Sequence, residues 1–126
     1  MQTRDQKYAV DVFEKVTKTK EHGKDFYQGY GAMAHKLPVL IRTGGLMQAL
    51  AYVDARGKDS QKQLLQDLAR TVEQADAASL LRRAREAGIS EYMLLTQQVQ
   101  DALLWYKRFA QSVLDVDASD AKDNEQ

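Results

Sequence analysis

The side chains with chemical potential in this sequence are two histidines, several carboxylate pairs and two glycine-rich runs. His22 and His35 lie thirteen residues apart, without the His-x-x-x-His or Glu-x-x-His spacing of a helical metal site. The runs YQGYGAM and RTGGLMQ lack the Lys-Ser/Thr end of a phosphate loop and follow no predicted strand. Asp11 and Glu14 lie on a predicted solvated face, where nothing raises a carboxyl pKa for catalysis. We therefore predict no enzymatic activity, no bound metal and no cofactor.

Length and composition narrow the class of protein. The chain has 126 residues and no cysteine, a length that suits one domain with a single core. The N-terminal residues have mixed charges rather than a secretory apolar run, and no segment approaches the roughly 18 apolar residues of a membrane-spanning helix. The lack of cysteine excludes disulfides and thiolate chemistry and fits a reducing compartment. We therefore expect a cytoplasmic protein.

Charge is distributed unevenly although its total is zero. Residues 115–126 contain five acidic side chains and one cation, Lys122. Because acids and cations balance over the whole chain, residues 1–114 have a matching excess of cations. No aromatic or large apolar residue follows Val116, so the end of the chain has little surface to bury. We predict a helical bundle domain over residues 1–114 and an acidic disordered tail over residues 115–126.

The apolar pattern predicts an all-α fold. Apolar residues recur at intervals of three and four, as Ala9, Val12, Phe13 and Val16 do in the first stripe, and there is one proline. Glycines and capping residues separate the periodic segments, which predicts a compact bundle of about six helices. The predicted starts are at Thr3, Asp25, Leu46, Ser60 with Gln63 as a capping box, Asp76 and Ser90, and the predicted ends are at Lys20, Thr43, Gly57, Val72, Gly88 and Leu114.

The second predicted helix presents basic residues beside its only proline. At 100° per residue, His35, Val39 and Arg42 lie opposite the apolar side, and Lys36 lies on the flank. Pro38 predicts a kink, because it lacks an amide hydrogen and crowds the carbonyl four residues earlier. An apolar Val39 between basic residues indicates a contact surface, while an isolated exposed valine remains the alternative.

The last predicted helix is apolar on two sides. Its inward stripe runs from Tyr92 to Val113, and Leu94, Leu104 and Trp105 lie on the opposite side. Either this helix is central and covered on both sides, or it presents an interface. Lys107 and Arg108 beside Trp105 resemble the basic and aromatic combination of nucleic-acid surfaces, or are solvated cations at the rim of a core helix.

Two stretches carry a resemblance to a known family. The run YGAMAHKLPVLIRTGGLMQALAYVDARGK, together with EYMLLTQQVQDALLWYKRFAQ, resembles the small subunit of the type III-B CRISPR effector, the Cmr complex. Length, helix order and the small all-α domain are also similar, so the resemblance spans about residues 4–114. The basic run LLRRARE lies in the part of the chain that matches only in its helical pattern.

The resemblance implies a role in RNA-guided antiviral defence. Small subunits of this family stack in several copies beside the backbone subunits, contact the guide–target RNA and are not nucleases. It implies as partners the backbone and large subunits, copies of itself, and guide and target RNA, with no membrane and no small-molecule substrate. The alternative function is a helical protein–protein adaptor without nucleic-acid binding. The predicted RNA-binding residues are Lys36, Arg42, Lys107, Arg108 and His35, and the predicted subunit interface consists of Val39, Leu94, Leu104 and Trp105.

Overall fold

The fold is all-α, as predicted. The structure is a computed structural model that describes residues 1–123, with side chains described to residue 120. Within this part of the chain there are helices and no strand. They are α1 (Arg4–Thr19), a 3-10 turn (Lys20–His22), α2 (Lys24–Gly44), α3 (Leu46–Arg56), α4 (Asp59–Thr71), α5 (Ala77–Glu86), α6 (Ile89–Ser112) and α7 (Ala118–Asp123).

Helix α2 is the centre of the bundle. It packs against α3, α4, α6 and α7, while α1 lies mainly along α6. Residues 29–35 of α2 are buried all round, and Tyr30, Met33 and Leu37 are among the most deeply buried side chains. A helix surrounded in this way loses the polar face of an ordinary surface helix. Among residues 1–123, no helix combines the length and apolar character needed to cross a membrane.

Glycines and one aspartate define several helix ends. Gly23 and Gly45 adopt φ angles of 94° and 87°, which other residues reach only with strain, and they separate α2 from its neighbours. The Asp76 carboxylate accepts a 2.8 Å hydrogen bond from the Ser79 amide, which confirms the predicted cap of α5.

The predicted capping box at Ser60 is wrong. Helix α4 begins one residue earlier, after Lys58, whose amide donates to the Gln61 side chain at 2.9 Å. Ser60 is buried instead against Gly29 of α2, where an added Cβ would lie 2.4 Å from the serine Oγ. Ser60 therefore packs against α2 and does not cap α4, the role that the local pattern predicts for it.

Phe13 also departs from the predicted inward stripe. Val12 and Val16 are fully buried, but Phe13 is exposed at the edge of the contact between α1 and α6. Its ring meets the Phe109 ring edge-on, with 5.4 Å between centroids. The buried arc of α1 is narrower than four adjacent apolar positions, so one of them lies outside it.

The chain after α6 folds back onto the bundle. Asp115 adopts a φ of 56°, Val116 is 1% exposed and its amide donates to the Ala110 carbonyl at 2.9 Å. Helix α7 then packs along α2. The sequence predicts disorder here, whereas in residues 115–123 the structure has a buried valine beside Gly31 and the helix α7; the domain boundary at residue 114 stays a prediction. The rest of the predicted tail, residues 124–126, lies outside the described residues.

Candidate nucleic-acid and subunit interface

The outward side of α6 exposes large apolar residues. Leu94 is 52% exposed and Leu104 is 43% exposed, while Leu95 and Leu103 beside them are fully buried. Helix α1 begins only opposite Asp101, where Arg4 forms an ion pair with that carboxylate, so α1 does not extend over Leu94. The sequence left open whether α6 is covered on both sides or presents an interface. At Leu94 and Leu104 the structure excludes coverage on both sides within the subunit.

Trp105 has a structural role on the α1 side of α6. Its Nε1 donates a 2.8 Å hydrogen bond to the Asp5 carboxylate, and its ring stacks on Phe109 with 5.7 Å between centroids. The Arg108 guanidinium lies 5.0 Å from the tryptophan ring centroid. Trp105 therefore joins two helices within the subunit, and its predicted contact with another subunit stays a prediction.

Helix α2 emerges from the core around Pro38. The helix continues through the proline, and Gln100 of α6 donates a 3.1 Å hydrogen bond to the Pro38 carbonyl. Val39 is 45% exposed and Arg42 is exposed. The Lys36 ammonium lies 5.6 Å from the ring centroid of Tyr52 on α3. Cations and an exposed valine thus meet at this end of α2, as predicted from the helical pattern.

The predicted RNA-binding residue His35 lies beneath the end of the chain, and its role in RNA binding stays a prediction. Its side chain is only 6% exposed, and its Nε2 lies 2.9 Å from the Val116 carbonyl oxygen. A carbonyl accepts only, so Nε2 carries the hydrogen and donates. Its Nδ1 is buried without a hydrogen-bond partner. The imidazole lies on the side of α2 that the helical wheel assigns, but the folded-back chain covers it, and a phosphate cannot reach it in this structure.

The predicted cations form two groups. Gln100 touches Pro38, and the Tyr106 ring lies 6.4 Å from the Tyr30 ring, so α6 runs antiparallel to α2. Arg42 lies four residues beyond Pro38 and Lys107 lies seven residues beyond Gln100 in the opposite direction. At a rise of 1.5 Å per residue, Arg42 and Lys107 are roughly 16 Å apart along the bundle axis. Lys107 and Arg108 instead neighbour the exposed Leu104, at positions i+3 and i+4 of α6.

The structure also contains a polar cleft that the sequence analysis missed. It lies between α1 and α4 and has a volume of about 490 Å³. The carboxyl of Asp67 lies at the floor of this cleft. Burial raises the pKa of this carboxyl, and hydrogen bonds from Tyr30 at 2.6 Å and Gln63 at 2.9 Å partly oppose the rise. The helical spacing of Lys15, Lys18 and His22 is the sequence signal that indicates its basic rim.

Other groups that could do chemistry remain inside the bundle. The hydroxyl pKa values of Tyr30 and Tyr106 are raised well above the ordinary value, chiefly by burial. Both hydroxyls are hydrogen-bonded in the interior, to Asp67 at 2.6 Å and to Thr71 at 2.7 Å. Within residues 1–123, no group of three or more His, Asp or Glu side chains is arranged to hold a metal ion. The arrangement therefore stabilises the fold, and the surfaces on α2 and α6 are the candidates for binding.

Comparison with known proteins identifies the family of this chain. The family model described as CRISPR-associated protein (Cas_Cmr5) matches residues 4–113. The protein named CRISPR system Cmr subunit Cmr5, from Thermus thermophilus, is 45% identical over 91% of this chain and 99% of its own length. The crystal structure of a CRISPR-associated Cmr5 family protein from that organism has a TM-score of 0.85, with 45% identity, over 90% of this chain and 98% of that one. The chain therefore belongs to the Cmr5 family of CRISPR-associated proteins.

Proposed function

We propose that this protein is the non-catalytic small subunit of a type III-B CRISPR ribonucleoprotein effector. In this role it stacks in several copies beside the backbone and large subunits and contacts the guide–target RNA without reading its sequence. The observation that carries the proposal is the family match over residues 4–113, almost the whole bundle. The relative from Thermus thermophilus is named as a subunit of the Cmr system, which makes other Cmr subunits the expected partners.

The chemistry of the two cation groups suits RNA phosphates. Lys36 with Arg42, and Lys107 with Arg108, are lysine and arginine pairs at the surface of two packed helices. Contacts to phosphates position a strand and carry no sequence information, which a subunit must allow if it accepts any guide. Sequence recognition is then left to base pairing between guide and target.

The exposed leucines of α6 suit contacts between subunits. Repeated copies need two different complementary surfaces, because one self-complementary surface closes a dimer. Leu94 and Leu104 belong to one of these surfaces, and Val39 to the other. A weak contact of this kind forms when the effector raises the effective concentration of neighbouring copies, so the free subunit is expected to be monomeric.

The assignment is tested by purifying the tagged native protein from its host and sequencing the co-purified RNA. Enrichment of CRISPR-derived guides, with other Cmr subunits in the same fraction, is the expected result. Co-purified protein partners without guide RNA would instead favour the helical adaptor, which uses the leucines of α6 and leaves the cations solvated.

The RNA contacts are tested with one double variant for each cation group. Lys36→Ala/Arg42→Ala and Lys107→Ala/Arg108→Ala should each weaken RNA binding. Each should also flatten the plot of log K against log salt by about 0.7 for every lost contact to a single strand. The matched control is Arg82→Ala/Arg85→Ala, which removes two exposed cations of α5 outside both groups. A salt dependence equal to that of the control would contradict the role of the group tested.

The subunit interface is tested with Leu94→Glu and Leu104→Glu. Both side chains are exposed, so the thermal stability of the free subunit should change by no more than about 0.5 kcal/mol while assembly is lost. Val10→Glu is a matched control, because Val10 is also exposed but lies on α1. Leu103→Ala, in the core, should cost about 2–5 kcal/mol and shows that the thermal assay reports packing. Assembly that tolerates both glutamates would locate the interface elsewhere.

A further inference from the structure

One face of α2 is half covered by the end of the chain. Gly31, His35, Val39 and Arg42 follow one another at helical spacing and share this face. Gly31 and His35 are buried under Val116, whereas Val39 and Arg42 are exposed. The covered half and the open half are therefore parts of a single surface, and the open half carries Arg42, which is proposed to bind RNA.

From this arrangement we infer that residues 115–123 form an acidic strap, which is displaced when RNA phosphates bind the face of α2 that runs from Gly31 to Arg42. This inference rests on the proposed function and adds a further binding surface and its regulation. The strap is the intramolecular occupant of that surface, and His35 becomes an RNA contact only when the strap leaves.

The strap and RNA cannot occupy this face together. Asp115, Asp117 and Asp120 place negative charge on the strap, which repels a phosphate backbone. Hydrogen bonds from Ser119, followed by the Asp120 amide, lower the pKa of Asp117 from its usual value. That carboxylate therefore stays ionised at neutral pH.

The strap is held by Val116 and by the packing of α7 along α2. The Val116 side chain is buried, its carbonyl accepts from His35, and its amide donates to Ala110. Docking also leaves His35 Nδ1 buried without a partner, a cost that is relieved when the imidazole meets water, which can donate to that nitrogen. Among residues 115–120 Val116 is the one buried residue, and a short segment of this kind belongs to the part of a fold that opens most easily.

Gly31→Ala displaces the strap with little risk to the bundle. An added Cβ at Gly31 would lie 2.9 Å from the Val116 Cβ and 3.1 Å from both of its γ carbons. Alanine also favours the helical backbone of α2 more than glycine does. Gly44→Ala is the matched control, because it adds a methyl group to the same helix where the nearest atom is the flexible end of Gln48.

The experiment measures binding of the full chain to a single-stranded uridine oligonucleotide by fluorescence anisotropy. Hydrogen exchange of the Val116 amide in the same samples reports whether the strap is docked. If the strap covers the face about nine-tenths of the time, its release should raise the affinity about tenfold, since apparent affinity scales with the competent fraction. Gly44→Ala should leave both readouts unchanged.

His35 gives the decisive comparison. His35→Ala should lower RNA affinity in Gly31→Ala, where the strap is already released. The loss should be smaller in Gly44→Ala, because there the substitution also removes the hydrogen bond to Val116 that holds the strap and so raises the open fraction. Should the Val116 amide stay protected in Gly31→Ala, Val116→Asp releases the strap by placing a charge in its buried position. Unchanged affinity in a variant whose strap is released would overturn the inference.

The outcomes separate this inference from the proposed function. If RNA binding depends on Lys36 and Arg42 but not on the state of the strap, only the strap inference fails. If neither pair of cations affects binding and no variant binds the oligonucleotide, the RNA role of the subunit fails with it.

Discussion

Tyr30→Phe tests the buried polar network at the junction of α1, α2 and α4. Tyr30 is fully buried, and its hydroxyl donates a 2.6 Å hydrogen bond to the Asp67 carboxyl. In the variant the Asp67 carboxyl loses this donor and keeps the Gln63 amide. A hydrogen bond to a charged group contributes about 1.5–3 kcal/mol. The variant should lose that much free energy of unfolding at pH 7, which corresponds to a midpoint lower by roughly 5–12 °C.

Tyr106→Phe is the internal comparison. Tyr106 is also fully buried, but its hydroxyl is bonded to the neutral Thr71 hydroxyl at 2.7 Å, and Thr71 also donates to Asp11 at 2.6 Å. Loss of a neutral hydrogen bond costs about 0.5–1.5 kcal/mol, and Thr71 keeps its carboxylate partner. Tyr106→Phe should therefore be the milder of the two variants in urea unfolding.

The pH dependence supplies the sharper test. Burial raises the pKa of Asp67 above the ordinary 3.8, so the folded state resists ionisation. The stabilising contribution of this group is present below pH 3.8 and is lost as pH rises through the raised pKa of the folded state. The Tyr30 hydrogen bond lowers the pKa of Asp67 and so opposes the effect of burial. Tyr30→Phe therefore raises the pKa of Asp67 further, and the loss of stability with pH continues to higher pH.

Unfolding free energies measured by urea titration at a series of pH values above the ordinary pKa of 3.8 should therefore diverge. The gap between wild type and Tyr30→Phe widens as pH rises, while the gap for Tyr106→Phe stays nearly constant. A Tyr30→Phe gap that is independent of pH, or a cost no larger than that of Tyr106→Phe, would refute the reasoning.

Two further variants test helix ends by thermal unfolding at neutral pH. Asp76→Ala removes the carboxylate cap of α5, which accepts from the Ser79 amide, and should cost about 1 kcal/mol; an unchanged midpoint would show that water replaces the cap. Glu73→Gly should raise the free energy of unfolding by about 0.5–1 kcal/mol, because Glu73 has a strained φ of 66° just after α4. At this helix end the amides of Glu73 and Gln74 donate back to carbonyls of α4. A lower midpoint would contradict the assigned strain.

Helices α1 to α6 could be predicted because their apolar periodicity and end signals are local, whereas α7 was not predicted. Apolar periodicity locates the buried faces at Val12 and Val16 in α1 and at Leu95 and Val99 in α6, and all four are fully buried. Glycines at positive φ separate the helices where the sequence breaks its period. These signals depend on neighbours within a few residues, so they survive without knowledge of the tertiary structure.

Contacts between residues distant in sequence explain what the local pattern does not predict. Ser60 is taken from its predicted capping role by Gly29, and His35 is covered by Val116, 81 residues away. A helical wheel gives the direction of a side chain but not the segments that later pack over it. The Leu94 and Leu104 side chains were assigned correctly to the outward side of α6, yet the exposure of Leu94 follows from where α1 begins.

The glycines, proline and cations of the second helix have a common explanation in how α2 leaves the core. Gly29 and Gly31 lack side chains where Ser60 and Val116 approach too closely for a Cβ, so the first half of α2 can be buried on every side. Beyond Pro38 the covering segments end, and Val39 reaches the surface. A glycine-rich run that resembles a phosphate loop in composition therefore serves packing. The phosphate contacts proposed for this helix belong to Lys36 and Arg42, on either side of the proline, and to the face that the strap covers.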